Sequence, residues 1–110
     1  MTPAHHSVRE VGISRIGAPC SSGLARLYRE SEPVHDVVEV RSDVPGSVVI
    51  QTYDERLRPM ATTKEALTKQ VDNTIHIFAL PLTKGVVVRA ARLTIVTATG
   101  STSCVVEDKR

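Results

Sequence analysis

Short runs in which apolar and polar residues alternate, separated by turn residues, recur along most of this chain. They are densest in the last third, where β-branched and aliphatic residues cluster between glycine and proline positions. Alternation with a period of two is typical of strands that bury one face of a sheet. We therefore predict strands over 74–80, 86–90, 93–98 and 104–106.

Two more apolar runs, 34–41 and 47–53, flank a linker that contains Pro45 and Gly46. Proline fixes φ near the value that the second position of a type II turn requires, and glycine accepts the positive φ of the third. The pattern predicts a β-hairpin with one apolar face and one solvated face. Acidic residues are frequent along 32–55, so we refer to this element as the predicted acidic hairpin.

The N-terminal third gives weaker signals. Residues 1–6 contain Pro3 and lack an apolar run, which predicts an arm that precedes the folded domain. Several β-branched residues between 7 and 16 favour a first strand. The segment 21–32 fits either a strand or a short helical turn, because its apolar positions are compatible with both periods.

One segment in the middle of the chain has a helical signature. Thr62 and Glu65 have the spacing of a capping box, in which each side chain satisfies a free backbone amide of the first turn. Leu67 and Val71 would share one face of the helix that follows. We predict a short helix around 63–71 that lies across an open end or edge of the sheet.

Together these elements give about seven short strands at spacings of about eight to twelve residues, a pattern typical of antiparallel sandwiches and barrels. We predict an all-β, mainly antiparallel fold: a small β-sandwich of about seven strands with one short helix. At 110 residues the chain suits a single domain with one core. That domain is expected to comprise residues 7–110, behind the arm at 1–6.

Composition argues against some classes of binding protein. Aromatic residues make up only 3% of the chain, whereas modules that bind single-stranded nucleic acid stack bases on aromatic rings. A net charge of +2 is too small to indicate a nucleic-acid or anionic-membrane partner. Nucleic-acid binding through a basic patch is therefore a third, less favoured hypothesis. The patch would comprise Arg56, Arg58, Lys64, Lys69, Arg89 and Arg92.

The two cysteines, Cys20 and Cys104, lie near opposite ends of the sequence. The N-terminal residues lack the apolar core of a signal peptide, and no apolar run reaches the length of a membrane span. We expect a cytoplasmic or virion location, no membrane partner and reduced thiols. A disulfide would require the first and last strands to be neighbours, which the sequence leaves open.

No catalytic, metal-binding or cofactor-binding motif stands out. His5 and His6 are adjacent on the predicted arm and lack the His-x-His spacing of a cupin-like metal site. Neither cysteine lies beside a recognisable base, and the glycines do not form a phosphate-binding loop. We therefore predict that the protein is not an enzyme and has no catalytic, metal-binding or cofactor-binding residues.

Charge is unevenly distributed, with acidic residues concentrated in 32–55 between two basic flanks. Complementary charge on one chain favours contacts between copies. Our leading hypothesis is a self-associating structural or assembly protein, of the kind found among capsid, decoration and tail components of viruses and phages. The interface charges that we predict are Arg9 and Arg15 of the first strand, and Asp36, Glu39 and Asp43 of the acidic hairpin.

The alternative hypothesis is a monomeric intracellular module that captures a protein partner by strand addition. A small β domain with open sheet edges must either protect those edges or pair them with another chain. The two hypotheses differ in the expected mass of the protein in solution: the first predicts multimers that depend on concentration, and the second predicts a monomer.

Overall fold

The computed structural model describes residues 12–31, 33–68, 74–80 and 85–108, and a short helical stretch at 12–14 begins the described part. No helix within these ranges is long and apolar enough to cross a membrane. The strands are β1 (Ala25–Ser31), β2 (Val34–Arg41), β3 (Gly46–Tyr53), β4 (Pro59–Leu67), β5 (Ile75–Ala79), β6 (Ala90–Thr97) and β7 (Gly100–Glu107).

The strands form two sheets, one with the order β1-β2-β5 and the other with the order β4-β3-β6-β7. Every pair of neighbouring strands is antiparallel. The predicted all-β sandwich of seven strands is therefore confirmed. The order matches that of an immunoglobulin constant-type sandwich, except that the fourth strand pairs with the third rather than the fifth. Strand order of this kind does not identify a function.

A single aliphatic cluster joins the two sheets. Alternate residues of the strands point between the sheets and are almost fully buried, as the alternation in the sequence predicts. Each buried valine or leucine contributes about 1.5–3 kcal/mol relative to an exposed one. The buried members of the cluster are Leu27, Val38, Val40, Val48, Ile50, Leu67, Leu80, Val88, Ala91, Leu93, Ile95 and Val106.

A second, smaller apolar cluster lies on the outer face of the four-stranded sheet. Its buried members are Tyr53, Ala90 and Val105, and Ile16 and Leu57 pack against them. Ile16 belongs to residues 12–20, which precede β1 and which we call the N-terminal segment, so part of this segment lies against the outer face. The cluster therefore places the N-terminal segment beside β7.

The strands predicted at 34–41 and 47–53 are confirmed as β2 and β3, but the predicted hairpin between them is wrong. Both neighbours of β2 in its sheet are other strands, β1 and β5, so β3 has no free edge to pair with. The linker instead crosses from one sheet to the other, and Ser42 Oγ donates a hydrogen bond of 2.7 Å to the Val44 carbonyl within it. Gly46 begins β3 and is not among the residues with positive φ, so the linker is not the expected type II turn.

The helix predicted around 63–71 is also wrong where the structure describes it. Residues up to Leu67 belong to β4, and 69–73 lie outside the described residues. The Thr62 hydroxyl donates a 2.6 Å hydrogen bond to Gln51 on β3 rather than capping a helix. A short helix with two apolar anchors is marginal, whereas pairing with β3 satisfies the backbone and buries Leu67.

The structure corrects two further strand predictions and decides one segment that the sequence had left open. The strand predicted at 7–16 is wrong for 12–16, which form a helical stretch and a turn, and 7–11 lie outside the described residues. The open choice at 21–32 is resolved as a turn followed by strand β1. The strand predicted at 86–90 is wrong for 86–89. Val88 lies in the core, and the backbone amide of Arg89 donates a hydrogen bond of 2.9 Å to the Tyr53 carbonyl of β3.

Candidate functional site: the edge strand β5

One side of the sandwich is closed by contacts between the two sheets. On this side Pro19 of the N-terminal segment forms a parallel bridge with Val105 of β7, and Leu27 of β1 forms one with Asp108. The Cys20 amide donates to the Val105 carbonyl at 2.9 Å, and the Val105 amide donates to the Ala18 carbonyl at 2.7 Å. These hydrogen bonds occupy part of the outer edge of β7. We call this the closed side.

A disulfide between Cys20 and Cys104 reinforces the closed side, with the two Cα atoms 4.7 Å apart. The expectation of two reduced thiols is therefore wrong for this structure. The parallel bridge between Pro19 and Val105 places Cys20 beside β7, the strand that contains Cys104. The two cysteines are therefore close enough to form a disulfide. That relation depends on tertiary structure, because 84 residues separate the two cysteines in sequence.

The opposite side of the sandwich carries the other two outermost strands, and we call it the open side. Among the described residues, β4 pairs with β3 alone and β5 pairs with β2 alone. The free edge of β4 has features that discourage pairing with another chain: Pro59 begins the strand, and Lys64 is exposed. Proline and lysine are common protective devices on edge strands.

The edge strand β5 has no such protection. Its sequence, Ile75-His76-Ile77-Phe78-Ala79, contains neither a charged residue nor a proline. Ile77 points away from the core with 61% of its surface exposed, and Phe78 is only partly buried on the inner face. An exposed apolar side chain on an outermost strand that lacks protective charges is a common contact point for another chain, so the part of β5 around Ile77 is the candidate interaction site.

The residues beside Ile77 in the sheet form a compact polar cluster. Ile77 pairs with Glu39 of β2, and Glu39 pairs with Arg26 of β1. Tyr28 donates a hydrogen bond of 2.6 Å to the Glu39 carboxylate, and Arg26 lies 3.6 Å from the other carboxylate oxygen. The hydrogen bond to Glu39, together with burial, raises the pKa of Tyr28 to about 12. Glu39 is thus already paired within its own sheet.

The predicted interface charges do not form one surface. Asp36 is buried on the inner face of β2, where Arg29 donates to it at 3.1 and 3.2 Å, and Glu39 lies on the outer face. Asp43 is exposed in the loop that crosses between the sheets. Arg15 is exposed in the turn after the helical stretch, and Arg9 lies outside the described residues.

Arg56, Arg58 and Arg89, three of the basic residues considered for nucleic-acid binding, lie at the loop 54–58, where Arg58 and Arg89 already have partners. Arg58 pairs with Asp54 at 2.9 Å, and Arg89 is partly buried and donates to the Glu55 carbonyl at 3.2 Å. Hydrogen bonds from the Arg58 and Arg56 backbone amides, aided by the Arg58 side chain, lower the pKa of Asp54 despite its partial burial. Lys64 and Arg92 project from the sheet strands instead, and Lys69 lies outside the described residues.

In the described part of the chain, no group of three or more His, Cys, Asp and Glu side chains is arranged to hold a metal ion. The geometry that the structure does show suits recognition of an extended chain. The β5 segment was predicted as a strand, but its position at an edge is a property of the sheet order, so the sequence did not single it out as a site.

Comparison of the chain with protein-family models, with curated proteins and with solved structures finds no match. Function is therefore inferred from the geometry and chemistry of the edge itself.

Proposed function

We propose that this protein is a non-enzymatic structural or assembly protein that self-associates through edge strand β5. The observation that carries the proposal is the asymmetry of the sandwich. The closed side is sealed by the N-terminal segment and a disulfide, while β5 on the open side presents a charge-free edge with Ile77 61% exposed.

An edge of this kind supports association in two ways. The backbone groups of Ile77 and Ala79, which face away from β2, would form hydrogen bonds with an extended strand, and these supply affinity. Its alternate side chains then supply specificity, because Ile77 and the partly exposed Ile75 lie on one face and must match the partner's residues. A partner strand would bury apolar surface that is solvated in the isolated chain.

The disulfide bears on where such an assembly would be found. Disulfides persist in oxidising settings, which include virion and cell surfaces, and are rare in the cytosol. Of the two locations expected from the sequence, the Cys20–Cys104 bond therefore favours the virion over the cytoplasm. That this protein is a component of a viral or phage capsid, decoration or tail remains a prediction.

The second candidate function uses the same edge. A monomeric module that captures another protein by strand addition would also use the outer edge around Ile77, so the exposure of Ile77 supports both hypotheses. The lack of charge on β5 favours self-pairing, because the strand contains no like charges that would repel a second copy. Binding of nucleic acid is the least supported, since Arg58 is paired with Asp54 and Arg89 is partly buried and donates to the Glu55 carbonyl.

Light scattering across a concentration series tests the proposal directly. We expect the mass of the protein to rise with concentration from 12.0 kDa to a multiple of it. Ile77→Lys adds a charge to the edge and should keep the mass at that of a monomer across the same range.

Val96→Lys is the matched control, because Val96 is 42% exposed on the outer face of the other sheet. It should associate as the unsubstituted protein does. A monomer at every concentration of the unsubstituted protein would overturn self-association and leave strand addition as the favoured function.

A further inference from the structure

We propose that the Cys20–Cys104 disulfide is a redox-controlled latch: its reduction by a dithiol releases the N-terminal segment from the outer edge of β7 while both sheets stay folded. The latch lies on the closed side of the sandwich, so it operates independently of self-association through β5. It gives the bond a conformational role in addition to its contribution to stability.

Both backbone groups of Val105 bond to the N-terminal segment. The Val105 amide donates to the Ala18 carbonyl at 2.7 Å, and the Val105 carbonyl accepts from the Cys20 amide at 2.9 Å. In a strand, the N–H and C=O of one residue point to the same side, and those of the next residue point to the opposite side. The backbone groups of Cys104 and Val106 therefore face β6, and those of Val105 report on the N-terminal segment.

The N-terminal segment lies against the sandwich without being a strand of either sheet. Residues 12–20 belong to none of the described strands, and β7 pairs with β6 from Gly100 to Glu107 without them. The segment packs Ile16 into the outer cluster and passes so close to β7 that a Cβ atom at Gly17 would lie 2.9 Å from Cγ2 of Val105. Its departure would therefore break no pairing between the strands of the two sheets.

The disulfide is the covalent tie between this segment and β7. Ala18 and Pro19 are exposed, so water can replace their hydrogen bonds and the net gain from each bond is small. Ordering the segment also costs conformational entropy at each of its residues. The cross-link offsets part of that cost because it keeps Cys20 beside β7 whether or not the hydrogen bonds are formed. Without the cross-link the segment relies on non-covalent contacts such as that of Ile16, and release is favoured.

The two cysteines differ in their accessibility to a reductant. Cys20 is partly exposed, whereas Cys104 is 5% exposed. A thiolate of the dithiol therefore attacks the Cys20 sulfur, the S–S bond breaks, and Cys104 leaves as a thiolate that takes up a proton. The second thiol of the reductant then displaces Cys20, which is protonated in turn, and the reductant closes to a cyclic disulfide. Two electrons and two protons pass from the dithiol to the protein.

Release would uncover a defined part of the closed side. The backbone of Val105 would lose its partners, and the outer cluster around Tyr53, Ala90 and Val105 would lose the cover of Ile16. The exposure of this face would then follow the redox state of the surroundings, which differs between oxidising and reducing compartments.

Hydrogen exchange followed by NMR tests the latch at single amides, in the oxidised protein and after reduction with dithiothreitol. In the oxidised protein we expect the Val105 amide to exchange within about tenfold of the rates at Cys104 and Val106. After reduction it should exchange at least about a hundredfold faster than both. The two neighbours are internal controls, because a loss of global stability raises their rates as well, whereas local release raises the rate of Val105 relative to theirs.

The double variant Cys20→Ala/Cys104→Ala should show the same fast exchange at Val105 without any reductant. Acceleration by an equal factor at all three amides would overturn the latch, because the segment and the sheet would then open as one unit. A Val105 amide that stays as protected as its neighbours would also overturn it, once alkylation with iodoacetamide shows that both thiols have been freed.

Discussion

Cys20 and Cys104 are 84 residues apart in sequence, and their disulfide fixes the N-terminal segment against β7. The bond lies beside the backbone hydrogen bonds that join Cys20 and Ala18 to Val105. Together these contacts occupy part of an edge of the four-stranded sheet that would otherwise be available for pairing. In the proposed assembly, contacts with another chain would therefore lie on the open side, which carries β5.

Removal of the disulfide should destabilise the fold substantially. A cross-link that closes a long loop restricts the unfolded chain, and loss of a native disulfide from a small domain typically costs about 2–5 kcal/mol. We expect the double variant Cys20→Ala/Cys104→Ala to lose a free energy of unfolding in this range, measured by urea denaturation. Reduction of the unsubstituted protein should give a similar loss, and equal stability with and without the bond would contradict this role.

Replacement of Gly46 by alanine should destabilise the junction of β3 and β6. A Cβ atom at Gly46 would collide with the backbone carbonyl oxygen of Val96, and backbone atoms in a central pair of strands have little freedom to move. Overpacking of this kind typically costs about 1–3 kcal/mol, and we expect Gly46→Ala to lie at the upper end of that range. Chemical denaturation measures the effect, with Ser47→Ala as the neighbouring control at about 0.5 kcal/mol or less.

Substitution of Asp36 should affect folding rather than assembly. Its carboxylate is 5% exposed and accepts two hydrogen bonds from Arg29, which is 37% exposed. We expect Asp36→Ala to lose about 1–3 kcal/mol of stability because it removes both bonds. Asp43→Ala, at an exposed position in the crossing loop, should change stability by less than about 0.5 kcal/mol.

The mass of the Asp36 variant distinguishes the two roles. Light scattering under conditions in which the variant stays folded should give the same association as the unsubstituted protein. Weaker association of a folded Asp36→Ala protein would restore this residue to the interface at which the sequence placed it.

The alternation of apolar residues was sufficient to predict most of the strands, because a strand with one buried face must repeat with a period of two. The pairing of those strands was not accessible in the same way. The linker at Pro45 and Gly46 looked like a hairpin turn, yet Gly46 is required by the close approach of Val96 rather than by positive φ. Local turn chemistry does not reveal whether a linker stays within one sheet or crosses to the other.

The candidate site was harder to predict than the strands, since it depends on which strands lie outermost in the two sheets. The sequence directed attention to charge and to residues such as Asp36, which the structure places in the interior. The apolar run around Ile77 was read as an ordinary strand, because nothing local distinguishes an edge strand from a central one when protective charges are missing. The sequence could not predict the disulfide for a related reason. Cys20 and Cys104 become neighbours only because the N-terminal segment lies beside β7.

Alkaline titration should reveal the pairing of Tyr28 with Glu39. The folded-state pKa of Tyr28 is raised from 10.0 to about 12, so the fold favours the protonated phenol that donates to the carboxylate. The stability that this pairing contributes is fully present below about pH 10 and is lost as the pH rises through the folded-state pKa. Absorbance at 295 nm, measured as the difference between the unsubstituted protein and Tyr28→Phe, should show a midpoint near 12.

Glu39→Gln is the control for this assignment. It keeps a hydrogen-bond acceptor of similar size beside the phenol but removes the negative charge, so the Tyr28 midpoint should fall towards 10.0. The free energy of unfolding of this variant should also depend less steeply on pH between about 10 and 12. A midpoint that stays near 12 in Glu39→Gln would show that burial, rather than the carboxylate, raises the pKa of Tyr28.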